Sequence, residues 1–336
     1  MKISIITTVY KAERDLPRLL DSMMAHKSPE LEFFLIDNGS PDRCGEICQE
    51  YAALDPRFTV CTLKENIGYI RARNLGIEVC NGDYVGFCDS DDYLEPGGYD
   101  RAVERLRKTQ CDFYITAWRT ISSSETINFA PYKAGVYSGQ ELLPQAFGPV
   151  QGKGMLHGFA WKQIFRRSIL TEGQLQFMEE LKPYEDQVFN IDMLSRCEIV
   201  CVDEQILYNY IVNEQSITAQ LASNFDAEAE WNRIEALYRE KNARVQEPMH
   251  REAMCNQLLQ SLYTLALNMV KCKKYTVGKT VELFYQWEQS GLPRHISEHA
   301  SKQQSLRLCF VRRCINKRQY LLLSVTISVL SRLWRR

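Results

Sequence analysis

Tyr84-Val85-Gly86-Phe87-Cys88-Asp89-Ser90-Asp91-Asp92 runs a short apolar stretch straight into three carboxylates. Such a run, ended by polar residues, reads as a strand buried on both faces. Ile3–Val9 reads the same way, and Leu31–Ile36 and Phe58–Leu63 read as further strands. Between them the spacing turns helical. Leu16, Leu19, Leu20, Met23 and Met24 lie on one stripe, with Asp15 placed to cap and Pro17 tolerated in the first turn. Ile47, Cys48, Tyr51 and Leu54 predict a second helix beginning near Asp42, and Ala72, Leu75, Gly76 and Val79 a third. Strands alternating with helices through short connections imply an α/β fold with a parallel sheet covered on both faces. Ligands bind such sheets at the carboxyl ends of the strands. That singles out Thr8–Tyr10, Asp37–Ser40 and Asp89–Asp92.

Beyond Trp118 the rhythm changes. Thr126–Gly139 has hairpin composition, Glu141–Phe147 predicts a short helix, and Ala160–Leu170 mixes apolar and basic residues. Tyr184–Cys197 predicts a helix, followed by two strands, Ile199–Val202 and Ile206–Val212. From Asp226 to about Gln289 the pattern is helical, with Trp231, Ile234 and Leu237 on one stripe and Leu258, Leu259, Leu262 and Leu265 on another.

The chain has 336 residues, 45% of them hydrophobic, with 41 basic against 42 acidic side chains. The near balance gives no argument for nucleic acid as a partner. The charge is unevenly placed, however. Nine basic residues and no acidic one fall between Ser301 and Arg336, namely Lys302, Arg307, Arg312, Arg313, Lys317, Arg318, Arg332, Arg335 and Arg336. The rest of the chain is therefore acidic, and the tail is suited to an anionic surface. Within the tail, Tyr320–Leu330 is apolar, too short to cross a bilayer as a helix. It fits an interfacial helix, with a helix packed on its own domain with solvated charges as the alternative. The 12 cysteines form no Cys-x-x-Cys pair and the five histidines are dispersed, which argues against a structural zinc site. With no signal-peptide pattern, the cysteines are expected to be reduced and to serve as small buried apolar residues.

Four groups carry candidate chemistry. Carboxylates as close as Asp89, Asp91 and Asp92 repel unless a cation lies among them, and a hard divalent ion shared with substrate phosphates meets that need. The same residues suit a solvated turn before a helix. In Asp37-Asn38-Gly39-Ser40, Asp37 can accept from a ribose hydroxyl and Asn38 can pair with a base edge, though Asx and Gly residues also build plain turns. Arg71 and Arg73 follow Asn66 and Gly68; a guanidinium matches phosphate, while Arg71 suits an ordinary surface position. Glu185-Asp186 opens a helical segment, where a carboxylate can cap or act as a general base.

In order, Ile5-Ile6-Thr7-Thr8-Val9-Tyr10-Lys11-Ala12-Glu13, Leu35-Ile36-Asp37-Asn38-Gly39-Ser40, Asn66-Ile67-Gly68 with Ala72-Arg73-Asn74, and Gly82-Asp83-Tyr84 leading into Asp89-Ser90-Asp91-Asp92 resemble the family 2 inverting glycosyltransferases. The resemblance continues through Trp161-Lys162-Gln163-Ile164-Phe165-Arg166-Arg167, Glu185-Asp186-Gln187-Val188-Phe189, and Tyr208-Asn209-Tyr210 before Ser216-Ile217-Thr218. It implies a GT-A fold, the nucleotide-diphospho-sugar transferase architecture, with a mixed central sheet and here a C-terminal helical extension. The expected division is 1–118 for the nucleotide-sugar half, 119–220 for the acceptor half, 221–300 for a helical extension and 301–336 for a basic amphipathic tail.

Carried over by position, the resemblance implies that Thr8, Tyr10, Asp37, Asn38, Arg73 and Asp89 bind the nucleotide sugar. Asp91 is the implied ligand of manganese or magnesium, and Asp186 the implied catalytic base. His157, Trp161 and Glu185 are candidate acceptor contacts, although a buried histidine and a core tryptophan are also ordinary. The family often has Asp where this chain has Asn38. Asn38 can still meet the imide edge of uracil, and thymine offers the same edge; a UDP-sugar is the expected donor. A saccharide or lipid-linked acceptor, a role in cell-surface polysaccharide or glycolipid synthesis, and a cytoplasmic place at the inner membrane face follow as expectations. A nucleotidyltransferase would carry a glycine-rich loop after the first strand, and a dinucleotide enzyme Gly-x-Gly-x-x-Gly; Thr8-Val9-Tyr10-Lys11 has neither. A non-catalytic nucleotide-sugar-binding protein stays open.

Overall fold

The computed structural model describes residues 1–130, 132–147, 159–182, 184–213, 224–272, 274–301 and 305–333. His157 lies outside them. The chain divides into two compact units, one of Met1–Leu143 with Val150–Glu214 and one of Pro144–Pro149 with Gln215–Arg336.

In the first unit the expected strands and helices alternate: β1 (Ile3–Val9), α1 (Leu16–Met24), β2 (Leu31–Asp37), α2 (Cys44–Leu54), β3 (Phe58–Thr62), α3 (Tyr69–Val79) and β4 (Tyr84–Asp89). The chain continues through β5 (Tyr93–Leu94), α4 (Gly98–Thr109), β6 (Phe113–Ile121), β7 (Thr126–Phe129), β8 (Gly135–Tyr137) and α5 (Gly139–Phe147). After Phe159 come β9 (Gln163–Arg166), α6 (Arg167–Glu172), α7 (Glu185–Leu194) and β10 (Val200–Ile211). The strands join in the order β3-β2-β1-β4-β9-β6-β10-β5, with β7 on β6 and β8 on β10. β1 to β4 run parallel, β9 lies antiparallel between β4 and β6, and β10 pairs parallel with β6. The sheet is therefore mixed. β1 and β2 are buried almost throughout because helices cover both faces, which is why they read as unbroken apolar runs.

Three local expectations change. Asp15 precedes α1 but makes no side-chain cap; its carboxylate pairs with Arg18 at 3.3 Å. α2 starts at Cys44, because Asp42 accepts from the Cys44 and Glu13 amides and the Ser40 hydroxyl, tying down the turn before it. The two strands expected at 199–202 and 206–212 are one strand, β10. Its register against β6 shifts between Val202 and Ile206, so polar Asp203-Glu204-Gln205 makes a bulge instead of a break.

One glycine is required by its surroundings. Gly39 sits at φ 64°, and a Cβ there would lie 2.5 Å from the Glu65 carbonyl carbon. The turn after β2 thus packs directly on the backbone leading into α3.

The second unit is helical among its described residues: α8 (Ala227–Ala243), α9 (Pro248–Lys271), α10 (Val277–Glu288), α11 (Leu292–His299), α12 (Leu306–Asn316) and α13 (Tyr320–Leu333). Asp226 caps α8, accepting from the Glu228 and Ala229 amides. Trp231 stacks on Trp287 with ring centroids 4.9 Å apart, and Phe284 stacks on Tyr320 at 5.4 Å. Tyr320, Leu323 and Ile327 of α13 are buried, whereas Leu321, Leu322 and Val325 are exposed. The tail helix therefore has both a packed face and an open apolar face. Among the described residues no helix is long and apolar enough to cross a membrane. All twelve cysteines are free and most are buried.

Candidate active site

The strand order places the singled-out positions side by side. Thr8 pairs in register with Ile36 on one side and Asp89 on the other, and Val9 with Asp37. The carboxyl ends of β1, β2 and β4 thus bring Thr8, Asp37 and Asp89 to one edge. Asp37 is buried and accepts from the Ser40 amide at 3.0 Å. Tyr10 is exposed, with the Lys11 ammonium 5.3 Å from its ring centre.

Asn38 is buried with both ends of its amide engaged. Its Nδ2 donates to Asn66 Oδ1 at 3.1 Å and its Oδ1 accepts from the Ile67 amide at 3.0 Å. In this state it shapes the pocket wall by holding residues 66–67. Pairing with a base edge would require those bonds to be exchanged.

The centre of the site is Arg73. One turn into α3 it is carried inward, almost wholly buried, and its guanidinium reaches two distant carboxylates. Nη2 donates to Asp89 Oδ1 at 2.6 Å, and Nη1 to Asp186 Oδ1 at 3.4 Å. The Tyr69, Phe87 and Phe177 rings stand 5.3, 5.9 and 5.7 Å from it. Burial by itself would lower the guanidinium's pKa, but the surrounding Asp89, Asp186 and Glu185 carry it above its usual value. Arg73 is therefore a fixed cation that ties the end of β4 to the start of α7.

Asp186 lies in the first turn of α7, where the helix dipole favours a negative group. Its other oxygen, Oδ2, accepts from the Ala160 amide at 3.0 Å. Burial pushes its pKa above the ordinary carboxylate range; Arg73 opposes that and Glu185 adds to it. Glu185 is also buried. Its Oε1 accepts from the Tyr69 hydroxyl at 2.6 Å, and Oε2 has no hydrogen-bond partner among the described residues. Tyr69 and Arg73, four residues apart on one helix face, hold the consecutive acidic pair. Arg71 points outward and pairs with Glu179 at 2.8 Å, as an ordinary surface charge does.

The acidic loop after β4 separates its carboxylates by role. Asp89 takes Arg73. Asp92 turns inward, accepting from the Tyr208 hydroxyl at 2.7 Å and the Ile211 amide at 2.7 Å, while the Asp89 amide donates to that hydroxyl at 2.9 Å. Burial raises the Asp92 pKa well above its usual value, with Asp89 and Asp91 adding to the effect. Asp91 keeps no cationic partner among the described residues. Its carboxylate receives the Asn213 amide at 3.5 Å, and Arg18 donates to its backbone carbonyl rather than its side chain. Burial and then the Asp89 charge raise the Asp91 pKa. A part-buried carboxylate, repelled by its neighbour and lacking a counter-charge, fits a divalent ion that draws its other oxygens from phosphate and water.

Trp161, a candidate acceptor contact, is buried and stacks on Phe159, Tyr208 and Tyr210 with centroids 4.9, 4.4 and 5.7 Å apart. The sequence reading missed Tyr69, Tyr208 and the Ala160 amide. Tyr69 had a signal in its spacing from Arg73. Tyr208 lies in a block that carries the resemblance, but nothing local points to its bond with Asp92, 116 positions away in the chain.

Removing the Tyr208 hydroxyl would strand a buried carboxylate oxygen and the Asp89 amide. Tyr208→Phe is expected to lower unfolding free energy by about 1–3 kcal/mol. Urea denaturation measures this; a neutral variant would show that the hydroxyl does not hold the loop.

Comparison with known proteins fits this geometry. The family model described as Glycosyl transferase family 2 matches residues 4–173, just over half of the chain. The uncharacterized glycosyltransferase EpsJ of Bacillus subtilis is 29% identical over 218 residues, covering 64% of this chain and 62% of EpsJ. The poly(ribitol-phosphate) beta-N-acetylglucosaminyltransferase TarP of Staphylococcus aureus is 24% identical over 66% of this chain and 66% of its own. The chain thus spans less than two thirds of these relatives' length. Among solved structures, S. aureus TarS 1-349 in complex with UDP-GlcNAc superposes with a TM-score of 0.72 at 19% identity, covering 99% of this chain and 92% of that one. The fold is GT-A, and the chain belongs to glycosyl transferase family 2.

Proposed function

We propose that this protein is an inverting glycosyltransferase, moving a hexosyl or N-acetylhexosaminyl group from a UDP-sugar to a hydroxyl of a saccharide or lipid-linked acceptor in cell-surface polysaccharide or glycolipid synthesis. The observation that carries the reading is the shared guanidinium. Arg73 joins Asp89, on the donor side, to Asp186, the candidate base, through bonds of 2.6 and 3.4 Å. A base set beside the donor pocket is what single-displacement transfer requires. Family membership supports the reaction class, and the TarS complex with UDP-GlcNAc supports a UDP-sugar as donor.

In this reading Thr8, Tyr10 and Asp37 line the nucleotide pocket, and Asn38 holds its wall. Asp186 accepts the acceptor hydroxyl's proton as that oxygen attacks the anomeric carbon from the face opposite the leaving group, which inverts its configuration. The Ala160 amide and Arg73 keep the carboxylate aimed, and Asp89 keeps Arg73 in place. Asp91 is the residue to hold manganese or magnesium. When bound there, the ion would offset the charge developing on the departing diphosphate.

The tail supports a location at the inner face of the membrane. Leu321, Leu322 and Val325 are exposed on α13, and Arg313 and Lys317 are exposed on the segment before it. Exposed apolar side chains beside cations suit the interface of an anionic leaflet.

Asp186→Asn should retain UDP binding and lose about 100-fold or more in kcat, while Asp91→Ala should lose manganese-dependent UDP affinity. Calorimetry and a UDP-release assay over a panel of nucleotide sugars separate the two, and brisk turnover by Asp186→Asn would move the base elsewhere. Because the Asp186 pKa is raised, its ionised form disappears as pH falls through a value above the usual ~3.9. The kcat profile should therefore decline on the acid side within the range where near-UV dichroism shows the enzyme folded; a rate unchanged down to pH ~4 would contradict this. For the tail, the double variant Leu321→Glu with Leu322→Glu alters exposed positions only. It should stop flotation with phosphatidylglycerol vesicles, and unchanged flotation would refute membrane docking.

A further inference from the structure

A transferase needs a surface that presents the acceptor to its base, and the sheet carries an aromatic ledge at that place. We propose that Phe159, flanked by Phe129, stacks on a pyranose ring of the acceptor, so that the acceptor is a cyclic sugar at the residue that is glycosylated. This inference rests on the glycosyltransferase reading and adds the chemical class of its second substrate.

Position is the first argument. The Ala160 amide that donates to Asp186 Oδ2 at 3.0 Å belongs to the peptide unit that Phe159 begins. The Phe159 ring is thus anchored one Cα spacing, about 3.8 Å, from the backbone that holds the base. The ledge also lies on the far side of the sheet order from the nucleotide-side residues. Thr8 and Asp37 are on β1 and β2, while Phe129 is on β7, which pairs with β6 beyond β9.

The second argument is how the rings are arranged. Trp118 and Trp161 form the buried floor, with centroids 6.0 Å apart and planes nearly perpendicular. Phe129 lies flat on Trp118 at 4.9 Å and Phe159 flat on Trp161 at 4.9 Å. The two phenylalanines are the outer layer, 37% and 38% exposed. Ile127, two residues before Phe129 and so on the same face of β7, is 39% exposed. A buried tryptophan layer backs the outer rings, which are themselves part-exposed. Aromatic faces carry partial negative charge and attract the C–H face of a pyranose; an acyclic polyol has no such flat face to match. Trp161, the aromatic that the sequence singled out, already has protein rings against it, so Phe159 takes the stacking role.

The test uses saturation-transfer NMR on the full-length protein with UDP and manganese present. Methyl β-glycosides of glucose and N-acetylglucosamine serve as cyclic probes, and ribitol phosphate as an acyclic one. The wild type should transfer saturation to the axial protons of one pyranose face. Phe159→Ala should reduce that signal about fivefold, Phe129→Ala should reduce it by less, and Phe159→Tyr should keep it. UDP affinity by calorimetry should be unchanged in all three variants, which also reports that they are folded. An equal signal in Phe159→Ala, or ribitol phosphate bound as well as the glycosides, overturns the inference while leaving the donor reading intact. A wild-type protein that binds no UDP overturns the glycosyltransferase reading itself, and this inference with it.

Discussion

The guanidinium of Arg73 is the interaction on which the site depends. It is nearly excluded from water, enclosed by Tyr69, Phe87 and Phe177, and neutralised by Asp89 and Asp186. Breaking a buried pair by deleting one member typically costs about 3–5 kcal/mol, because the remaining charge is left uncompensated. The bridge therefore fixes three elements at once: α3 supplies the cation, β4 one carboxylate, and α7 the other. Any shift of α7 relative to the sheet would stretch the Arg73 and Ala160 bonds to Asp186 together.

A second constraint acts on the loop after β4. Three carboxylates in four residues can coexist because each finds different company. Asp89 meets a guanidinium, and Asp92 meets a hydroxyl and a backbone amide from β10. Asp91 is left with an amide at 3.5 Å. Fixing the first and last members holds the middle one in a field that disfavours its own charge. This division turns a cluster that would otherwise be a solvated turn into a site suited to a cation.

The proposed acceptor ledge is built from stacked rings instead of charges. The Trp118 and Trp161 floor is covered by Phe159, Phe129 and the tyrosines of β10, so its outer surface is rigid without being polar. Rigid rings lose little conformational entropy when a ligand settles on them. The helical unit keeps a comparable economy at its end, where α13 buries Tyr320, Leu323 and Ile327 and leaves the opposite stripe bare.

The sequence alone determined the elements and the order of the chemistry. Apolar runs bounded by polar residues gave β1 to β4, helical spacing gave α1 to α3, and the ordered blocks from Ile5 to Thr218 pointed to the family. These are local properties, carried by neighbours within a few positions. Tertiary structure decided which residues meet. The pairing of Arg73 with Asp186, the Tyr208 hydroxyl under Asp92, the internal use of Asn38, and the burial of Trp161 behind Phe159 all join positions far apart in the chain or depend on which face a ring turns outward. No spacing rule encodes such contacts, because they arise only when the sheet sets β4 beside β9 and β6 beside β10, and buried charges and hydroxyls then take whatever partners that packing supplies.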